Sequence, residues 1–178
     1  MQIADTDIAD VKIIRPTLFN DDRGFFMETF EKNRYRKMLG IDLDFVQDNY
    51  SRSYKNVLRG LHFQTVNPQG KLVRCVRGEI FDVVVDIRPH SPTFGRWTSI
   101  VLNDDNQIQC WIPPGFAHGF AVLSDVADVE YKCTDFYNPK AEGCLIWNDP
   151  AVGIDWPVSH PLLSAKDRQG KTLEELYK

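Results

Sequence analysis

Four places along this chain put polar, chemistry-capable residues where a strand would rather carry apolar ones. The first is Val57-Leu58-Arg59-Gly60-Leu61-His62-Phe63-Gln64. Strict alternation sets Gly60, His62 and Gln64 on one face and Arg59, Leu61 and Phe63 on the other. Gly60 removes a side chain beside His62, which marks either a bulge or the close approach of a ligand. The second is Gln69 to Glu79, with cations at Lys71, Arg74 and Arg77. The third, Pro113-Pro114-Gly115-Phe116-Ala117-His118, is a P-x-G-x-x-H element in which a tight turn delivers a histidine onto the start of a strand. In the fourth, Tyr131 alternates with Val129 and Cys133. Each residue also has a plain structural reading: a half-exposed strand histidine, solvent-facing cations, a core tyrosine.

The elements that must position these groups read as strands. Val11–Ile14, Phe25–Phe30, Phe45–Arg52, Val57–Gln64, Leu72–Arg77, Ile80–Ile87, Trp97–Leu102, Ile108–Ile112, Gly119–Leu123 and Val126–Phe136 are short β-type runs between glycine and proline turn signals. That pattern predicts an all-β sandwich or barrel. Two segments depart from it. Glu31–Leu39, with Tyr35, Met38 and Leu39 at helical spacing and Gly40 beyond, predicts a short helix capped by glycine. Thr172-Leu173-Glu174-Glu175 has capping-box spacing and predicts a final helical turn or two. No repeat or linker divides residues 1–178, so a single domain is expected.

The composition narrows the function. The chain has 178 residues, with 21 Lys plus Arg against 25 Asp plus Glu and a formal charge of −4. Such a balance excludes broad nucleic-acid binding, which needs a basic surface, but leaves room for a small anionic ligand held by local cations. Cys75, Cys110, Cys133 and Cys144 form no C-x-x-C pair, so they are expected to be free thiols in a reducing cytoplasm. Met1–Asp7 lacks the basic and apolar regions of a signal peptide. The longest apolar run, Ile80–Ile87, is broken by Asp82 and Asp86 and is too short to cross a bilayer. His90 and His160 sit in turns and read as surface residues.

P-x-G-x-x-H resembles the second motif of the cupins, which are double-stranded β-helix jelly rolls. The first cupin motif usually holds H-x-H and a glutamate followed by glycine. Here it is His62-Phe63-Gln64, with Lys71 at the glutamate position. A cation cannot ligate a cation, so a metal is not expected, and the ammonium takes the electrophilic role.

Longer motifs sharpen the resemblance: Asp22-Arg23-Gly24-Phe25-Phe26, Gln47-Asp48-Asn49, LRGLHFQ (58–64), QGKLVR (69–74), GEIFDVVVDIR (78–88), SPTFGRW (91–97), IPPGFAHGF (112–120), YKCTDFY (131–137), EGCLIWND (142–149) and LSAKD (163–167). In this order they are similar to the dTDP-4-dehydrorhamnose 3,5-epimerase family across nearly the whole chain. The resemblance implies a cupin jelly-roll barrel with a short helix after the second strand and a short C-terminal helix. It implies cofactor-independent inversion at C3 and C5 of a dTDP-linked 4-keto-6-deoxy sugar, through an enolate whose charge rests on one shared oxygen. It assigns His62 as base, Asp167 as its paired carboxylate, Tyr131 as the opposite-face acid and Lys71 as the group beside the developing oxyanion. Asp82 is a second-choice orienting group or a holder of the Lys71 ammonium. Arg23, Phe26, Glu28, Gln47, Asn49, Arg59, Gln64, His118, Tyr137, Glu142 and Lys166 match substrate-contacting positions, with Arg59 and Lys166 suited to phosphate and Tyr137 to thymine. The family pattern further implies a homodimer in which the Arg23 region serves the neighbouring subunit.

Since Arg59 and His62 point oppositely on a regular strand, an irregularity near Gly60 is expected. Tyr50 and Phe136 depart from the family's usual His and Tyr; Tyr50 is expected to be peripheral. Three alternatives stand beside this reading: an epimerase acting at one carbon only, a non-catalytic sugar-nucleotide-binding cupin, and a metal-dependent cupin oxygenase.

Overall fold

The computed structural model describes all 178 residues. Strands β1 (Gln2–Asp5), β2 (Lys12–Arg15), β3 (Leu18–Asp21) and β4 (Gly24–Met27) precede helix α1 (Lys32–Leu39). Strands β5 (Gln47–Tyr54), β6 (Leu58–Gln64), β7 (Lys71–Arg77), β8 (Glu79–Asp86), β9 (Trp97–Asn103), β10 (Gln109–Ile112), β11 (Phe116–Val122), β12 (Val126–Cys133) and β13 (Glu142–Cys144) follow. The chain ends in two single-turn helices, α2 (Ala165–Arg168) and α3 (Leu173–Leu176). The all-β expectation is met, with three strands more than the sequence patterns indicated. Two of these, β1 and β3, come early, so the first helix follows the fourth strand rather than the second. It is capped as expected, by Gly40 at φ 66°. The Thr172 capping box is present at α3.

Two antiparallel sheets hold the body together, in the orders β1-β2-β10-β7-β12-β5 and β13-β6-β11-β8-β9. They face each other as a jelly roll without closing into a hydrogen-bonded cylinder. Between them lies the main core, with Val73, Cys75 and Val129 from one sheet meeting Val84, Leu102, Phe116 and Phe120 from the other. The outer face of the six-stranded sheet is covered by α1, whose Tyr35 packs with Leu72 and Trp111. Leu145, Val152 and Leu173 of the C-terminal segment cover the other sheet, against Leu61, Phe63, Val83 and Val85. Alternation thus gives each strand one face for the core or cleft and one for these outer layers.

The β3–β4 hairpin forms a separate two-stranded sheet. The four cysteines are free thiols. No helix is long and apolar enough to cross a membrane.

Candidate active site

His62 on β6 and His118 on β11 are direct cross-strand partners, so their side chains share a face of the five-stranded sheet. Lys71 on β7 and Tyr131 on β12 share the inward face of the opposing sheet: Lys71 pairs with Cys133 and Tyr131 with Val73. Between the sheets, His62, Lys71 and Tyr131 line both of two cavities, of about 80 and 250 Å³. These are two lobes of one cleft.

The strand carrying His62 is irregular in the way the face conflict demanded. His118 pairs with His62 and Phe120 with Arg59, so β6 carries one residue more than β11 over this span. One extra residue reverses the side-chain phase. Leu58 therefore packs outward with Ala121 and Val158, while Arg59 turns into the same cleft lobe as His62. Gly60 makes this possible. Its φ is +123°, and an added Cβ would sit 2.6 Å from the Gly119 Cα. Gly60→Ala is expected to destabilise the fold by about 1–3 kcal/mol and to depress activity even where the protein folds, read by thermal denaturation and turnover together. An unchanged Tm would show that the bulge does not need glycine.

The His62 Nε2–H donates to Asp167 Oδ1 at 2.6 Å, and no protein group bonds Nδ1. Asp167 is buried, and its other oxygen accepts from the Ser164 hydroxyl at 2.7 Å. Burial alone would raise the Asp167 carboxyl, but the hydrogen bonds from His62 and Ser164 outweigh it and hold the group below the ordinary carboxylate range. Asp167 thereby fixes the imidazole tautomer and leaves Nδ1 to accept a proton. Ser164 caps α2 and orients Asp167 at once. Its S-x-x-D spacing is a capping signal legible in the sequence.

A second pair lies deeper. His118 Nε2 is 2.7 Å from Asp82 Oδ1, and both residues are buried. Burial pushes the imidazole below its ordinary value, opposed by Asp82. Asp82 thus holds His118 directly rather than bonding Lys71. Lys71 is 8% exposed, and its only hydrogen bond is a long one to the His62 carbonyl at 3.5 Å. Burial lowers its pKa, countered by the nearby Asp82 and Glu142 carboxylates. An ammonium with three donors and one weak partner is poised for an anionic oxygen. Burial raises the Tyr131 phenol, keeping it protonated as a donor.

Beside the cleft, Tyr137, Glu142, Gln64, Gln47 and Gln69 form a hydrogen-bonded cluster. Tyr137, about half exposed, donates its hydroxyl to Glu142 at 2.8 Å, and Glu142 also pairs with Lys166. The Gln64 amide donates to the Asn67 and Phe136 carbonyls and accepts from Asn138 N–H. Gln47 accepts from Tyr137 N–H and donates to Asn49, and Gln69, missed in the sequence, donates to the Asp135 carbonyl. Gln47 and Gln64 therefore hold the 135–138 loop in place, while Asn49 and Arg59 border the cleft. Tyr50 lies at the rim on the outward side of β5, 59% exposed. Arg23, Phe26 and Glu28 are not brought to the cleft: Arg23 pairs with Asp21, and Glu28 with Arg34.

A family model described as dTDP-4-dehydrorhamnose 3,5-epimerase matches residues 5–175. This chain belongs to that family. A dTDP-4-dehydrorhamnose 3,5-epimerase of Neisseria gonorrhoeae is 58% identical over 179 residues; the match covers 100% of this chain and 54% of that relative, so the chain spans about half its length. The Salmonella typhimurium enzyme is 52% identical, covering 98% of this chain and 97% of its own. The solved Legionella pneumophila family member, in complex with dTDP-4-keto-L-rhamnose, superposes with a TM-score of 0.95 at 53% identity, covering 97% of this chain and 93% of that one. The jelly-roll fold of this chain is thus that of a solved member of the epimerase family.

Proposed function

We propose that this chain is the isomerase that converts dTDP-4-dehydro-6-deoxy-D-glucose to dTDP-4-dehydro-L-rhamnose, using its own side chains to move protons at C3 and C5. The observation that carries this reading is the placement of base and acid on opposing sheets, with the Lys71 ammonium beside the acid, both lining the same cleft. His62 Nδ1 takes the proton from the carbon beside the C4 ketone, and the charge that develops on the ketone oxygen is met by Lys71. Tyr131 returns a proton from the other face of the ring, which inverts the carbon. Both carbons flank one ketone, so the same oxyanion contact serves both inversions. His118, held by Asp82, adds a second polar contact on the His62 side.

Arg59 and Lys166 supply charge for the diphosphate, and Tyr137, on its three-glutamine clamp, supplies a stacking surface for thymine. The family membership, and a relative bound to dTDP-4-keto-L-rhamnose, support the substrate class. Turnover in deuterated solvent tests the reaction and its positions together. Label is expected at both C3 and C5; label at one carbon would make the protein a mono-epimerase, and none would leave it a binding protein.

A homodimer completes the proposal. The β3–β4 hairpin exposes Phe19, Phe25 and Phe26 at 61%, 51% and 71%, with Arg23 at its tip. Three exposed phenylalanines on a two-stranded sheet are unstable company for water and suit a partner's surface. The hairpin then carries Arg23 and Phe26 to the neighbouring cleft. Mixing inactive Arg23→Ala and His62→Ala subunits is expected to restore up to about a quarter to a half of wild-type activity per dimer, since one cleft then holds both native groups. Absence of any recovery after verified subunit exchange would place Arg23 outside the site.

A further inference from the structure

Cys144 is the one cysteine that does not disappear into the core. It is half-buried, and on β13 it is the direct cross-strand partner of His62. A His62 ring nitrogen, the Cys144 sulfur and an Asp167 carboxylate oxygen lie within 4.8 Å of one another. Nε2 is the His62 nitrogen that bonds Asp167, and so the one a metal shared with Asp167 would take. We infer that these three groups form an inhibitory binding site for a thiophilic divalent cation such as Zn²⁺ or Cd²⁺, built on the back of the catalytic dyad. It does not use Lys71, which stands at the glutamate position of the cupin motif.

Sulfur, imidazole and carboxylate are the ligand types zinc prefers, and three of them leave the fourth tetrahedral position for water. With bonds of roughly 2.0–2.3 Å, tetrahedral ligands stand roughly 3.3–3.8 Å apart. The cluster reaches that spacing by side-chain shifts of about 1 Å, with the short His62–Asp167 contact opening to admit the ion. Cys144 also borders a groove of 530 Å³ outside the cleft, with Glu142, Lys166, Gln169 and Lys171. Glu142 neutralises Lys166, which leaves Lys171 as the groove's opposing charge.

The consequence for the reaction follows from proton counting. In the free dyad the neutral imidazole carries its proton on Nε2 and keeps Nδ1 open. A metal on Nε2 takes that position, so the imidazole proton moves to Nδ1, and the thiol proton goes to solvent as the sulfur–metal bond forms. The nitrogen that should accept the substrate proton is then already protonated. The metal blocks chemistry without occupying the sugar subsite.

Only the inhibition rests on the proposed role of His62; binding is tested separately. Purified, chelator-treated protein is titrated with Cd²⁺ and followed by ultraviolet thiolate-to-cadmium charge transfer, and epimerase turnover is measured across Zn²⁺ concentrations. A saturable charge-transfer signal is expected in the wild type and absent in Cys144→Ser. That variant should keep its basal turnover and need at least about tenfold more Zn²⁺ for half-inhibition, with chelator restoring the wild type. Cys144→Ala repeats the test without a residual oxygen ligand. A signal that survives in both variants overturns the site. A signal lost in the variants while Zn²⁺ never inhibits the wild type keeps the site but overturns the tautomer argument, and with it the inhibitory role.

Discussion

Replacing His62 by alanine is expected to lower kcat by about 100- to 10,000-fold while leaving the fold intact. Its side chain is 30% exposed and belongs to none of the apolar clusters, so little packing is lost. Deuterium exchange into substrate at both C3 and C5 should fall with it, because one Nδ1 faces one cleft. Asp167→Asn should follow closely. An amide preserves shape but no longer commits the imidazole to the tautomer that opens Nδ1, a loss of about 10,000-fold in another His–Asp system. Circular dichroism checks the fold, and a His62→Ala protein whose exchange stays within tenfold of wild type would remove His62 from the role.

Lys71→Met is the second large effect. Removing one preorganised donor from a site where an oxyanion develops costs about 100- to 1,000-fold in kcat, with KM changing far less because the nucleotide is held elsewhere. Stability should move the other way or not at all. Lys71 is a buried ammonium with one long hydrogen bond, and replacing an incompletely compensated buried charge with an apolar group of similar length is neutral to favourable. Lys71→Arg is not expected to rescue turnover, since a planar fork cannot reproduce a point charge in an enclosed cleft. Steady-state kinetics and thermal melts on the same preparations separate the two effects. A variant that loses stability and activity in parallel would make Lys71 a structural residue.

Much of this was legible in the residues. The long strands β6, β7, β8, β9 and β12 announce themselves because each has a buried face or two, and hydrophobic patterning is the signature of burial. β1 and β3 went unread because they are short, largely exposed strands in which exposure replaces alternation. β13 has three residues and is defined by its pairing with β6, a long-range fact. The irregularity at Gly60 was deducible from a contradiction: Arg59 and His62 could share a site only if the strand slipped phase between them. The glutamine clamp was not deducible. Gln47 and Gln64 look like ligand-binding amides in a linear reading and Gln69 draws no notice; their partners are the backbone of a loop 66 to 90 positions away. Asp82 reads in the sequence as a second-choice orienting group or a holder of Lys71; its partner, His118, follows only from their diagonal placement across β8 and β11.

The seating of His62 on one sheet and Tyr131 on the other gives the interior valines and isoleucines a say in stereochemistry. Facing sheets stand about 10 Å apart, and that gap is set by how Val73 and Val129 mesh with Val84 and Phe120. On the proposed mechanism, the span across which a proton leaves one face of the sugar and returns to the other is therefore a dimension of the hydrophobic core. A lineage can retune which ring carbon meets which group by exchanging one methylene deep in the jelly roll, while every polar residue of the cleft stays as it is.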